Sequence, residues 1–257
     1  MDKLSVVKIG GNVIENRRAL AAFLNDFAAL EGSKIIVHGG GKEATLMAQQ
    51  LGIPVQMIDG RRVTDAATLD LITMVYGGKI NKTIVAQLQA LGCNALGFTG
   101  ADGNTITALK RSPQPVDFGF VGDVSKVETA LLKVLFQQGI TPVFCAITHD
   151  GAGQLLNTNA DTVAASLAKA LATDFEVQLM YCFEKKGVLE NVEDDASVLP
   201  KINAELYEKL KRENKIHSGM LPKLHNCFDA LHQGVKHVFI GDAEMIRLQA
   251  PYTQIEL

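Results

Sequence analysis

Five short stretches of this 257-residue chain combine residue types that could handle a phosphate or carboxylate anion. Lys8-Ile9-Gly10-Gly11 closes one apolar run and His38-Gly39-Gly40-Gly41 closes another. Glycine lets backbone approach a ligand closely, and a helix that opens just beyond it presents unpaired N–H groups and a positive dipole end. A tight strand-to-helix turn would use the same glycines without any ligand. Two such turns, with Lys8 just ahead of one, favour phosphate. Asn157-Thr158-Asn159-Ala160-Asp161 gathers three carboxamide or carboxylate groups at an expected helix start. Helix capping accounts for one or two of them; the remainder points to a site. In Gly60-Arg61-Arg62-Val63-Thr64 either arginine can grip a carboxylate in a two-pronged fork, with surface ion pairing as the plain alternative. Ser218-Gly219-Met220-Leu221-Pro222-Lys223 sets Lys223 after a proline suited to the first helical position. A lysine there opposes the helix dipole unless an anion lies nearby; simple solvent exposure is the other reading.

Other chemistries find little support. No G-x-x-x-x-G-K-[ST] phosphate loop occurs. Gly39-x-Gly41-x-x-Ala44 fits a relaxed dinucleotide fingerprint, with Asp59 expected at the end of the following strand. A dinucleotide-dependent oxidoreductase is therefore a runner-up, although nothing downstream resembles the substrate half of a dehydrogenase. There is no G-x-S-x-G elbow and no H-E-x-x-H; His225 and His232 lie a heptad apart on an expected helix, and His149 and His217 in loops. No metal-ligand set is read. The four cysteines, Cys93, Cys145, Cys182 and Cys227, are scattered and read as buried reduced thiols.

The elements that must position these residues follow from periodicity. Leu4–Ile9, Lys34–His38, Pro54–Ile58 and Ala95–Phe98 read as strands, and Arg17–Leu30, Glu43–Leu51, Ala66–Tyr76 and Lys79–Leu91 as helices. Strand, glycine turn, helix, strand is the βαβ pattern, which implies a mainly parallel sheet covered on both faces. Asp102-Gly103-Asn104 reads as a hairpin turn, with a second hairpin near Phe118–Val124. Helix over Val127–Gln138, strand over Pro142–Ile147, a turn at Asp150–Gly153 and helix over Ala160–Ala172 come next. Val177–Phe183 and Lys236–Ile240 read as strands, Asn203–Glu213 and Pro222–Gln233 as helices, and Glu190–Asp195 as a solvated loop. A lobe boundary is expected near Thr173, dividing residues 1–172 from 173–257.

Composition is that of a globular protein: 47% hydrophobic residues, 21% charged, and a net charge of -3. The sequence pI near 6.1 argues against a dedicated nucleic-acid or anionic-membrane binder. The start, Met1-Asp2-Lys3-Leu4, lacks the long apolar run of a signal peptide, so a soluble cytoplasmic protein is expected.

Taken in order, Lys8-Ile9-Gly10-Gly11, His38-Gly39-Gly40-Gly41, Gly60-Arg61-Arg62-Val63-Thr64, Asn157-x-Asn159-Ala160-Asp161 and Gly219-Met220-Leu221-Pro222-Lys223 resemble the motif series of the amino acid kinase family. The resemblance covers nearly the whole chain. It implies an α/β fold, a three-layer α/β/α sandwich with a mainly parallel central sheet, forming one kinase domain. The acceptor is expected in the N-terminal lobe (1–172) and the nucleotide in the C-terminal lobe (173–257). It further implies ATP-dependent phosphorylation of the γ-carboxylate of N-acetyl-L-glutamate to N-acetylglutamyl 5-phosphate, an early step of arginine biosynthesis. A succinylated or other acidic acceptor, or a non-catalytic nucleotide- or amino-acid-binding regulator, stays open.

By the same resemblance Lys8 and Lys223 stabilise the transferring phosphoryl group, and Asp161 holds both lysines. Lys8, Gly10, Gly11, Gly219 and Lys223 serve the nucleotide phosphates. Gly40, Gly41, Arg62, Asn157 and Asn159 serve the acceptor, with Arg62 on its α-carboxylate and Asn157 on its acyl-amino group. Phe118–Val124 resembles part of the lid and wall around that acceptor. ATP is expected with magnesium held mainly by the nucleotide phosphates, and no protein metal site. A glutamate-type γ-carboxylate, with a pKa of about 4.3, is already an anion at neutral pH and needs no general base. What the reaction needs is charge compensation, and a set rich in Lys, Gly and Asn supplies that.

Two departures from the family pattern stand out. The Asp-Val-x-Gly-Val expected in the nucleotide lobe is replaced by the longer Tyr181-Cys182-Phe183-Glu184-Lys185-Lys186-Gly187-Val188-Leu189, which lacks the aspartate. The chain also begins at its first strand, which by resemblance implies an arginine-insensitive homodimer.

Overall fold

The computed structural model describes residues 1–191, 193–213 and 220–257. Strand β1 (Lys3–Ile9) is buried from Leu4 onward, as expected of a parallel strand covered on both faces. A five-residue helix α1 (Gly11–Glu15) and α2 (Arg17–Ala28) follow. Asn16 starts α2, its side-chain oxygen accepting from the N–H groups of Arg18 and Ala19 at 3.0 and 3.1 Å. Leu20, Phe23, Leu24 and Phe27 form its buried stripe at helical spacing. Then come β2 (Ser33–His38), α3 (Gly41–Gln50), β3 (Met57–Ile58), β4 (Arg61–Arg62) and α4 (Ala66–Ile72).

Four sequence expectations change here. The strand expected over Pro54–Ile58 shrinks to β3, which pairs with β4 in a small antiparallel ribbon. Asp59 and Gly60 join them with φ of 49° and 73°, the two-residue turn for which Asp-Gly is well suited. Asp59 is thus a turn residue and not the end of a parallel strand, which removes the acidic member of the dinucleotide fingerprint. The two helices expected around residue 77 are one continuous run: α4, a wider-turned π segment over Thr73–Ile80, and α5 (Asn81–Ala90). Finally, Asp102–Asn104 is a short 3-10 turn. It joins two strands that do not pair with each other, β5 (Ala95–Phe98) and β6 (Ile106–Lys110).

The hairpin expected near Phe118–Val124 is present as the pairing of β6 with β7 (Gly122–Val127), joined by residues 111–121. Further on lie α6 (Ala130–Gln137), β8 (Thr141–Cys145), β9 (Ile147–His149), β10 (Leu155–Asn157) and α7 (Ala160–Leu171). The last stretch holds β11 (Glu176–Cys182), β12 (Lys201–Ile202), α8 (Ala204–Arg212), α9 (Leu221–His232), β13 (His237–Gly241) and β14 (Thr253–Ile255).

Internal contacts divide the chain into two units, Met1–Ile35 with Ala164–Leu257, and Ile36–Val163. In the first unit the strand order is β12-β14-β13-β11-β1, and only the β13–β14 pairing is antiparallel. In the second, β8 pairs in parallel with β2 and with β5, and a separate sheet runs β10-β9-β6-β7. Among the described residues no helix is long and apolar enough to cross a membrane.

Candidate active site

In the second unit Arg62 reaches the start of α3 and Asn157 reaches Thr64, whereas Asn159 bonds within its own helix start. Adjacent residues of a strand face opposite sides, so Arg61 is exposed while Arg62 is 9% exposed. Arg62 Nη2 donates to the Gly41 carbonyl at 2.8 Å and to Thr45 Oγ1 at 2.7 Å, which binds β4 to the first turn of α3. Its other terminal nitrogen, Nη1, is buried and has no hydrogen-bond partner among the described residues. A guanidinium with one nitrogen anchored and one unengaged is set up to receive a carboxylate.

Two residues on, Thr64 links this arginine strand to Asn157, whose Nδ2 donates to Thr64 Oγ1 at 3.0 Å. The segment after Asp117 is stitched to both. Thr64 N–H donates to Phe118 O at 2.9 Å, Phe120 N–H to Thr64 O at 2.7 Å, and Asn157 N–H to Phe120 O at 2.9 Å. Residues almost a hundred positions apart in sequence thus form one backbone-anchored wall.

Gly40 shows why a glycine is required at the mouth of α3. A Cβ built there would lie 2.3 Å from Ile80 Cδ1 and 2.9 Å from Tyr76 Cδ1. Both of those side chains come from the π segment, whose widened turn brings them over the glycine. Tyr76 also neighbours Arg62: burial pushes its phenol pKa up, and the guanidinium pulls the other way. Neither Tyr76 nor the π segment was legible in the sequence, where the stretch reads as ordinary helix.

His38 heads one of the glycine motifs, but its own role appears only in the fold. It is fully buried, its Nδ1 2.8 Å from the Gly39 carbonyl, while Asn81 Nδ2 lies 3.1 Å from its Nε2 and donates to Val143 O at 2.8 Å. Burial drives its pKa down to about 4, so the ring is neutral. A neutral ring that donates from Nδ1 and accepts at Nε2 satisfies both contacts and fixes the Gly39 peptide. The only signal in sequence is the polar pair itself, which simple surface placement explains equally well.

Asn159 does what an N-cap does: its Oδ1 accepts from the N–H of Asp161 at 2.8 Å and of Thr162 at 3.2 Å. Asp161, 9% exposed in the first turn of α7, sits where the helix dipole favours a carboxylate.

The first unit holds the lysines. Lys8 is 9% exposed near the end of β1, in register with Tyr181 of β11. Lys223 lies in the first turn of α9. Both ammonium groups approach the ring of Phe183, at 4.9 Å from its centroid for Lys8 and 3.5 Å for Lys223. Gly10 spends its N–H on Cys182 O at 3.1 Å, and Gly11 opens α1. Gly219, with Ser218 before it, lies outside the described residues.

All four cysteines are buried thiols, with those of Cys145 and Cys182 pushed up to about 12 by burial. Among the described residues no group of three or more His, Cys, Asp or Glu is placed to hold a metal ion.

The model of the amino acid kinase family matches residues 3–242. The chain belongs to the amino acid kinase family. Its fold is accordingly the three-layer α/β/α type with a mainly parallel sheet. An acetylglutamate kinase from Cytophaga hutchinsonii is 56% identical over 96% of this chain and 94% of its own. Another, from Bacteroides fragilis, is 54% identical over 95% of this chain and 94% of its own. A crystal structure of smu.665 from Streptococcus mutans superposes with a TM-score of 0.76 at 26% identity, covering 93% of this chain and 94% of that one. Amino acid kinases are phosphotransferases, so ATP is the implied phosphoryl donor.

Proposed function

We propose that the chain acts as an acetylglutamate kinase, transferring the γ-phosphoryl group of ATP to the γ-carboxylate of N-acetyl-L-glutamate in arginine biosynthesis. The observation that carries this reading is the buried, half-engaged guanidinium of Arg62 at the start of α3. An acceptor with a carboxylate besides the reacting one supplies what Nη1 lacks, and the names of the relatives above point to the same substrate.

In this reading Arg62 grips the α-carboxylate and Asn157 meets the acetamido group. Gly40 and Gly41 let the acceptor approach the helix start, with Asn159 capping the helix that carries Asp161. Lys8 and Lys223 draw the developing charge off the phosphoryl group, and Asp161 orients them. Gly10, Gly11 and Gly219 belong to the nucleotide side; otherwise residues 1–172 hold the acceptor and 173–257 most of the nucleotide. The attacking carboxylate is ionised at neutral pH, so no side chain need take a proton from it. Catalysis is then positioning and charge stabilisation. Magnesium would enter held by the nucleotide's phosphates, spreading their charge. We further propose a cytoplasmic homodimer that binds neither nucleic acid nor membrane.

The test is ADP release with N-acetylglutamate, N-succinylglutamate and glutamate, with hydroxylamine trapping of acyl phosphate. N-acetylglutamate should give the highest kcat/KM and a hydroxamate. ATP binding without turnover on any acceptor would overturn the proposal, and a preference for the succinyl compound would reassign the acyl group.

A further inference from the structure

We infer that Phe183 is a positioning residue for Lys8 and Lys223, an inference that rests on the phosphoryl-stabilising role proposed for those lysines. Three elements bring the groups together. Lys8 comes from β1, Lys223 from the first turn of α9, and Phe183 follows the last residue of β11. The Phe183 ring is half-buried and lies 5.9 Å from the fully buried ring of Tyr181 at an interplanar angle of 6°. Its backbone N–H donates to Gly241 O at 2.7 Å, fixing the residue to the edge of β13. The ring is therefore a fixed object, and the long lysine side chains are the parts that adjust to it.

Two ammonium groups drawn to one ring repel each other, and holding two long side chains in place costs rotamer entropy. The π face of an aromatic ring attracts cations through its quadrupole. Unlike a carboxylate it carries no net charge, so it holds the lysines without neutralising them. A cation–π contact is also weak enough to yield when a phosphate oxygen arrives.

The experiment compares Phe183→Leu, which keeps apolar bulk and removes the π face, with Phe183→Tyr and Phe183→Trp, which keep it. With loss of one positioning contact per lysine, Phe183→Leu should lower kcat roughly tenfold. KM for N-acetylglutamate should stay unchanged, and the Tyr and Trp variants should retain most of wild-type kcat. A second readout does not need turnover. In protein with carbon-13 lysine, two ε-methylene resonances, assigned by Lys8→Arg and Lys223→Arg, should be shifted upfield by the ring and return to ordinary positions in Phe183→Leu. Wild-type kcat in Phe183→Leu, or a Tyr variant as impaired as Leu, overturns the inference, as do unshifted lysine resonances in the wild type. Lys8→Ala measured alongside separates the two levels: if it keeps wild-type turnover, the lysine assignment itself fails.

Discussion

Arg62→Lys keeps a positive charge behind the α3 start but removes the planar fork. In the wild type Nη2 is committed to Gly41 O and Thr45 Oγ1 at 2.8 and 2.7 Å, which in the function proposed above leaves Nη1 for the acceptor. A lysine ammonium is a single point donor and cannot serve both sets of partners from one position. A hydrogen bond to a charged group contributes about 1.5–3 kcal/mol, so kcat/KM for N-acetylglutamate should fall about 10- to 150-fold, with KM for ATP unchanged. The assay is steady-state ADP release with each substrate varied in turn. 4-Acetamidobutyrate, which is N-acetylglutamate without its α-carboxylate, closes the cycle. The wild type should turn it over about as poorly as Arg62→Lys turns over N-acetylglutamate, and the substitution should cost little further on this acceptor. Equal losses on both acceptors would refute the carboxylate assignment, and unchanged kinetics on N-acetylglutamate would refute it outright.

Two further outcomes follow from the same region. In Gly40→Ala the new methyl would meet Ile80 and Tyr76 at 2.3 and 2.9 Å, so it should destabilise by about 1–3 kcal/mol and lower Tm by several degrees. The acceptor KM should rise with it, and calorimetry showing an unchanged Tm would contradict the packing described. For His38, a folded pKa of about 4 against 6.5 unfolded means the unfolded chain binds the proton first. The stability it contributes is complete above about pH 6.5 and is lost as pH falls towards 4, by about 1.4 kcal/mol per pH unit. Urea unfolding at pH 7, 6 and 5 should show this slope flattened in His38→Gln; parallel slopes for the two proteins would exclude the histidine as its source.

Much of the fold was legible because its signals are local. The buried strands β1 and β2 read as unbroken apolar runs, and α2 shows its stripe at helical spacing. The glycine turns, and a capping residue at the start of α7, were visible as ordered motifs. What failed locally is instructive. Asp59 reads as the end of a strand, although with Gly60 it forms a turn pair. Asp102–Asn104 was read as a hairpin turn, but its flanking strands choose other partners, β8 and β7. Partner choice is a long-range property that no window of ten residues contains.

The sequence alone thus supplied the residue types and their order: glycine turns after two apolar runs, two well-separated lysines, two adjacent arginines and an Asn-x-Asn-Ala-Asp run. Tertiary structure decided which of two adjacent arginines is buried and which of its nitrogens is left for a ligand. It also decided that a π turn lays Tyr76 on Gly40, that a neutral His38 pins the Gly39 peptide, and that Phe183 meets two lysines from distant elements. Residue types carry their own donors, charges and pKa values, and so announce a chemistry wherever they stand. Burial, orientation and contact exist only between segments, and the packed chain is what sets them.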